Sequence, residues 1–228
     1  MEYNDYFINR IRRYRYAIST YPDTMSDERK EAIIRLDLFK DCKVLDVGES
    51  GLFDFPSIDF EFKHLPFEDQ SFDRVVIMAV LHHISVENRK ALYKECLRIL
   101  KPSGKLVVAD VIKGSRQDHW LNTVVNQYNS HGHEGWFFDR SDEKLFRESG
   151  FDVHSEEASY FWYFNNKIEL EDFITNLFGM DLAEDVHSVV DRHLGLVRHG
   201  ADGFKFEWKL IYFIATAPQA VFLGRHCP

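Results

Sequence analysis

Two groups of side chains in this chain have the chemistry to move protons or contact a ligand. His82 and His83 are adjacent, and His131, His133 and Glu134 share a short glycine-containing segment just after Tyr128. Imidazoles exchange protons near neutral pH, and a positioned phenol can also serve as an acid–base group. His83, Tyr128, His131 and His133 are therefore candidates for substrate contact or proton transfer, with His83, Tyr128 and His133 the catalytic choices. His82 and His83 are expected to sit in different environments and not to act as a pair. The run His131-Gly132-His133-Glu134 offers two imidazoles and a carboxylate, but its spacing is not that of a metal site. With 11 histidines in the chain, chance clustering explains it, and no metal is expected.

A glycine turn, Gly48-Glu49-Ser50-Gly51, follows the apolar run Val44-Leu45-Asp46-Val47. Glycine there lets backbone turn sharply and approach a ligand. Asp46 reads as the residue that organises this turn. A concentration of rings at Trp136, Phe137, Phe138, Tyr160, Phe161, Trp162 and Tyr163 suits either the wall of an aromatic substrate cavity or a core.

The elements that must position these groups alternate between strand and helix. Two helices are predicted within residues 1–40, the second capped by Ser26, forming a helical cap over a domain spanning 41–228. Val44–Val47 reads as a strand, and the near-continuous apolar run over 74–81 requires a central parallel strand covered on both faces. A helix over 86–100 presents Leu92, Cys96 and Ile99 on one face and leaves Arg89, Lys90, Lys94 and Arg98 elsewhere. Pro102-Ser103-Gly104 ends it, and 105–110 forms the next buried strand. A helix is predicted near 121–128, a short one capped by Ser141, and strands over about 151–163 and 204–216 that pair antiparallel. Two helices between those strands form an insertion, about 165–200. The whole is an α/β, doubly wound, Rossmann-like sheet.

Bulk properties exclude several classes. The 228 residues carry a formal charge of −9, against nucleic-acid or anionic-membrane affinity, and suffice for one sizeable core. Cys42, Cys96 and Cys227 are too few and scattered for a disulfide framework, so a reducing, cytoplasmic setting is expected, with no membrane span.

The pattern resembles the class I S-adenosylmethionine-dependent methyltransferases, particularly the small-molecule enzymes of quinone and sterol type. Val44-Leu45-Asp46-Val47-Gly48 resembles the family's first-strand motif, and Leu65-Pro66-Phe67 through Asp73 its approach to the fourth strand. Leu81-His82-His83-Ile84 resembles the following turn, and Leu100 to Leu106 the helix-to-strand turn before strand five. The resemblance implies S-adenosylmethionine as cofactor and methyl transfer to an oxygen or nitrogen of a small, partly apolar molecule. It implies cofactor contacts at Asp46, Gly48, Gly51, Glu61, Ala79 and His82, with Glu61 placed for the adenine amine. Asp59 shares the face of Glu61 and is an alternative ribose ligand.

The departures from the family are as informative. Ser50 stands where the middle glycine of a Gly-x-Gly-x-Gly loop is expected, and Glu49 adds negative charge. Only residues 49–56 separate Gly48 from the next candidate strand at 57–62, and a parallel crossover ordinarily needs a dozen or more. The chain is therefore expected to have lost a helix, a strand and another helix, or to have replaced them with an antiparallel or irregular excursion. Methyl transfer is the favoured function. The alternatives are a catalytically inactive binding or partner subunit, alone or as a homo-oligomer, and non-methyl small-molecule chemistry.

Overall fold

The computed structural model describes residues 3–48, 50–58 and 64–219, with side chains from residue 10 onward. Helices α1 (Tyr3–Thr20) and α2 (Ser26–Leu36) precede strand β1 (Val44–Val47), and β2 (Ser57–Ile58) follows. Strand β3 (Phe72–Met78), helix α3 (Val86–Ile99) and strand β4 (Leu100–Val111) form a parallel βαβ unit. Next, α4 (Arg116–His119) runs through a π-helical stretch (Trp120–Val125) into α5 (Asn126–Tyr128). A short helix α6 (Glu143–Glu148) leads to β5 (Asp152–Phe164), then α7 (Lys167–Phe178), α8 (Val186–Leu194), β6 (Val197–His199) and β7 (Gly203–Thr216).

These strands make one mixed sheet in the order β2-β1-β3-β4-β7-β5, with β6 on β7. Pairing is parallel from β2 to β4, and antiparallel where β7 lies between β4 and β5. Alternation along β3 explains its unbroken apolar sequence. Val75 and Ile77 enter the core on the α3 side, and Val76 and Met78 enter the core beneath α1, α2 and α7. A strand covered on both faces has no polar side to show. The α/β Rossmann-like sheet and its antiparallel C-terminal region are as the sequence predicts.

The link after β1 departs from expectation. β2 pairs parallel to β1, Ser57 with Asp46 and Ile58 with Val47, through a connection without a helix among its described residues. The expectation that so few residues could not reach a parallel neighbour is corrected. β2 begins level with Asp46, so the chain needs to travel back only one or two residues rather than a whole strand. The rest of the deletion stands: nothing else intervenes between β1 and β3 among the described residues. Glu49, Asp59 and Glu61 lie outside those residues.

Two caps are reassigned. Ser26 is the first helical residue of α2, and Met25 at the cap position makes no side-chain capping bond. Asp139 rather than Ser141 opens the turn before α6, in a reciprocal capping box with Asp142. The start of α2 is instead tied down by tertiary contact, because buried Glu28 accepts a 2.9 Å hydrogen bond from Trp162 Nε1. Trp162 stacks on Trp208 with centroids 4.4 Å apart, and Tyr160 and Phe164 bury on the same face of β5. Those rings are core, not the wall of a substrate cavity.

Burial pushes the Glu28 carboxyl up from 4.5 to about 7, partly opposed by the Trp162 bond. A raised carboxyl pKa favours folding at acid pH and forfeits that contribution as pH rises through the folded value. The difference corresponds to about 3 kcal/mol at alkaline pH. Glu28→Gln keeps an acceptor for Trp162 and removes the ionisation, so it should raise the melting temperature at pH 8.5 far more than at pH 4.5. Equal shifts at both pH values in thermal melts would contradict this placement of the carboxyl.

Candidate active site

Ligands of open parallel sheets bind outside the carboxyl ends of the strands, at the point where strand order reverses. Here β1 and β3 end at that point, in Gly48 and Ala79. Gly48 and Gly51 have φ of 98° and 68°, and Ala79, exposed, has φ of 50°. A left-handed alanine is backbone strain, held here by a 2.8 Å bond from Ala79 N to Ala109 O.

Asp46 organises the turn, as the sequence suggests. Its Oδ2 accepts a 2.7 Å bond from Ser50 Oγ, so the serine in the glycine's place is a working part of the loop. The other carboxylate oxygen is buried without a hydrogen-bond partner. Burial raises the Asp46 pKa to about 6, against the Ser50 hydroxyl and the Ser50 and Gly51 backbone. Tyr14 Oη from α1 donates to Ser50 O at 2.7 Å, and a Cβ on Gly51 would stand 3.4 Å from Ile18 Cγ2. Helix α1 therefore lies directly on this loop, and the cavity between it and Gly51-Leu52 is about 30 Å³.

The histidines converge on the neighbouring side. The 3₁₀ turn Leu81–His83 after β3 brings the His82 and His83 rings to 4.0 Å between centroids, so the expectation that they do not pair is corrected, although their environments do differ, His82 being buried and His83 exposed. Adjacent residues diverge on a strand but share a side in a tight turn. His133 joins them, at 5.5 Å from His82 and 5.0 Å from His83. Of the 131–134 segment, only His133 enters this group. His131 is exposed and its Nδ1 bonds Ser130 Oγ at 2.9 Å. Tyr128 packs on the apolar core around α7 instead.

Several residues that hold this cluster have no motif in the sequence. Fully buried Asp110, at the end of β4, accepts from His82 N at 3.0 Å and lies 2.7 Å from His82 Nδ1. Asp110 also accepts from Val111 N at 2.7 Å. An ionised carboxylate can only accept, so Nδ1 carries the proton and Nε2 is turned to the cluster. Asn126 Oδ1 accepts from His133 N at 2.7 Å, and Asn122 bonds both N and O of Gly135. Gly132, at φ 73°, is required there: a Cβ would stand 2.7 Å from Asn126 Oδ1.

Arg89 is the main surprise. Assigned to a polar face by its spacing, it is 2% exposed. It donates to Leu81 O at 3.0 Å and Trp136 O at 2.5 Å, and its guanidinium lies 4.0 Å over Phe138. It thus joins the turn bearing His82 and His83 to the loop bearing His133. Desolvation lowers its pKa from the usual arginine value. Desolvation, then the charge of His82, also pushes His133 down to about 3, and the same causes act on His83 in the same direction. Both rings are neutral at physiological pH, so they are better acceptors and ligands than stores for a proton.

The methyltransferase-domain family matches residues 31–108, from α2 through most of β4. Methyltransferase GfsG of Streptomyces halstedii is 35% identical over 83 residues, covering 36% of this chain and 29% of that protein. The demethylmenaquinone methyltransferase of Paenarthrobacter aurescens is 48% identical over 58 residues, 24% of this chain and 22% of its own. The chain spans 29, 34, 19 and 30% of the length of the first four curated relatives, about a third or less in each. In the solved complex of the Haloferax volcanii Trm112 methyltransferase activator with a methyltransferase, one chain superposes with TM-score 0.54. It is 18% identical, over 90% of this chain and 95% of that one.

The protein has the class I S-adenosylmethionine-dependent methyltransferase fold. Over the matched segment its sequence is similar to methyltransferases, demethylmenaquinone methyltransferases and a probable tRNA methyltransferase among them.

Arg89→Met keeps most of the side-chain volume but leaves two carbonyls without their charged donor. Hydrogen bonds to charged groups are worth roughly 1.5–3 kcal/mol each, so a loss of about 3 kcal/mol is expected in urea unfolding. The unfolding slope should stay unchanged. A loss under about 0.5 kcal/mol would show that the guanidinium is not the tie between the two segments.

Proposed function

We propose that this protein transfers a methyl group from S-adenosylmethionine to an oxygen or nitrogen of a small, partly apolar molecule. The observation that carries the reading is the construction at the carboxyl ends of β1 and β3. A buried, unpartnered oxygen of Asp46, the left-handed Gly48 and Gly51, and the strained, exposed Ala79 meet there. That donor set fits the polar end of the cofactor: the spare carboxylate oxygen is an acceptor for an ammonium, and the two glycines permit close backbone approach. The relatives over this segment are methyltransferases by name, one of them acting on demethylmenaquinone.

When bound, the cofactor supplies an electrophilic methyl on a sulfonium. The chain's residues have the other tasks. Asp46 and Ser50 hold the turn, and Ala79 shapes the floor. His83 and His133 present neutral ring nitrogens to an acceptor hydroxyl or amine and orient its lone pair. His82, fixed through Asp110, sets the position of both. Trp136, 62% exposed, and Phe137, 5.3 Å from His82, offer apolar contact on the same loop. Glu61, as the adenine contact, remains part of this proposal from the family pattern.

A second reading is favoured by one observation. Tyr14 of α1 bonds Ser50 O and Ile18 packs against Gly51, so the helix covers the turn at the end of β1. A chain in which α1 stays down would be a methyltransferase-like binding subunit without a cofactor. Calorimetric titration separates the two. Methyl transfer requires S-adenosylmethionine or its demethylated product to bind, with α1 lifting from Gly51. Tyr14→Phe removes the α1 bond to Ser50 O, worth ~1 kcal/mol, and should tighten binding about fivefold. No binding of either compound by folded wild type and Tyr14→Phe protein would leave the subunit reading.

A further inference from the structure

We propose that His82, His83 and His133 form a binding site for a divalent transition-metal ion of the zinc type, open to one further ligand. One ring nitrogen from each residue lies within 4.8 Å of those of the other two. No other group of three such side chains within that range occurs among the described residues. Three imidazoles are a donor set suited to Zn²⁺, Co²⁺, Ni²⁺, Cu²⁺ or Fe²⁺, and unsuited to Mg²⁺ or Ca²⁺.

Two further observations point to a ligand rather than to chance packing. His133 Nδ1 is buried with no hydrogen-bond partner, a cost that a coordinate bond would relieve. His82 has the support typical of a metal-binding histidine. Buried Asp110 takes the Nδ1 proton at 2.7 Å, fixing the tautomer that leaves Nε2 with its lone pair. The carboxylate also places a negative charge directly behind the ligand set.

The geometry is preformed but not closed. Metal–nitrogen bonds of ~2.0–2.1 Å in a tetrahedron put the nitrogens ~3.4 Å apart. The nitrogens, all within 4.8 Å of one another, must therefore close by at most about 1.4 Å, a displacement that rotation of the His83 side chain can supply. His83 is exposed and His133 half-buried, so the fourth position faces outward, as in catalytic rather than structural sites. The charge of Arg10, on α1, is felt at both His83 and His133 and opposes a bare dication. It favours an anionic or acidified oxygen as the fourth ligand. A hydroxyl bound there would be polarised by the ion beside the end of β3. This site does not depend on the methyl-transfer reading.

The test uses the untagged full chain, freed of metal by a chelator and titrated with Co²⁺. The expected result is a visible ligand-field spectrum of a nitrogen-rich cobalt site that saturates at one equivalent and is displaced by Zn²⁺. His83→Ala and His133→Ala should each weaken cobalt affinity at least tenfold, and Asp110→Asn by about 10–100-fold. His131→Ala, in the same loop but outside the cluster, should leave the spectrum unchanged. His83 and His133 are not core residues, so those two variants keep the test valid if Asp110→Asn fails to fold. The proposal is overturned if folded protein gives no such spectrum. It is equally overturned if His83→Ala and His133→Ala leave the spectrum intact, or if His131→Ala abolishes it.

Discussion

A single carboxylate, that of Asp110, sits at the junction on which the site depends. It is completely buried at the end of the central strand β4, where an unpaired charge would be costly, and it collects three donors: two from His82 and one from Val111. Its burial therefore obliges the turn after β3 to fold back towards β4, and that turn brings the buried His82 ring beside the exposed His83. Arg89 completes the constraint from the other side by joining Leu81 to Trp136. Two chain segments more than 40 residues apart are held so that three imidazoles share one face. Buried polar groups with satisfied partners fix a unique arrangement as apolar packing alone does not.

The cofactor side of the molecule shows a different economy. Shortening the chain after β1 removed the helices that usually separate neighbouring parallel strands, yet β2 still takes a place beside β1 because it pairs over two residues only. What the loop lost in length, α1 supplies in cover, through Tyr14 on Ser50 and Ile18 against Gly51. The buried serine and the second-best acceptor of Asp46 show that the turn is built, not degenerate. Helix α1 thus covers the turn that follows β1.

Much of the fold was legible in the sequence because it rests on local rules. The apolar run of β3 demanded two covered faces, and the helix expected over 86–100 is there, although it ends at Ile99 and Pro102-Ser103-Gly104, expected as the turn before the strand, already lies within β4. The antiparallel pairing of β5 with β7 was expected from the order of the elements. The site was less legible. Spacing assigned Arg89 to a polar face, because helical periodicity records which face a residue occupies and not whether a carbonyl waits to receive it. Asp110 was read only as the end of a buried strand, and Asn122 and Asn126 carried no signal at all. His82 and His83 were not expected to pair, and it is the 3₁₀ turn there that brings their rings together. Ser26 and Ser141 were reasonable caps by type, but α2 is anchored by the distant Glu28–Trp162 bond, and the local capping box of Asp139 and Asp142 takes the role given to Ser141.

The bond between Asp110 and His82 is the point at which the account is most exposed to measurement. Long-range nitrogen–proton correlation NMR of the histidine side chains, assigned with His82→Gln, reads which ring nitrogen carries the proton. The account predicts a His82 ring protonated at Nδ1, with an Nδ1 proton shifted downfield by its carboxylate acceptor and lost from that position in Asp110→Asn. A His82 ring bare at Nδ1 and protonated only at Nε2 would contradict it, because Asp110 would then hold neither the ring nor the cluster.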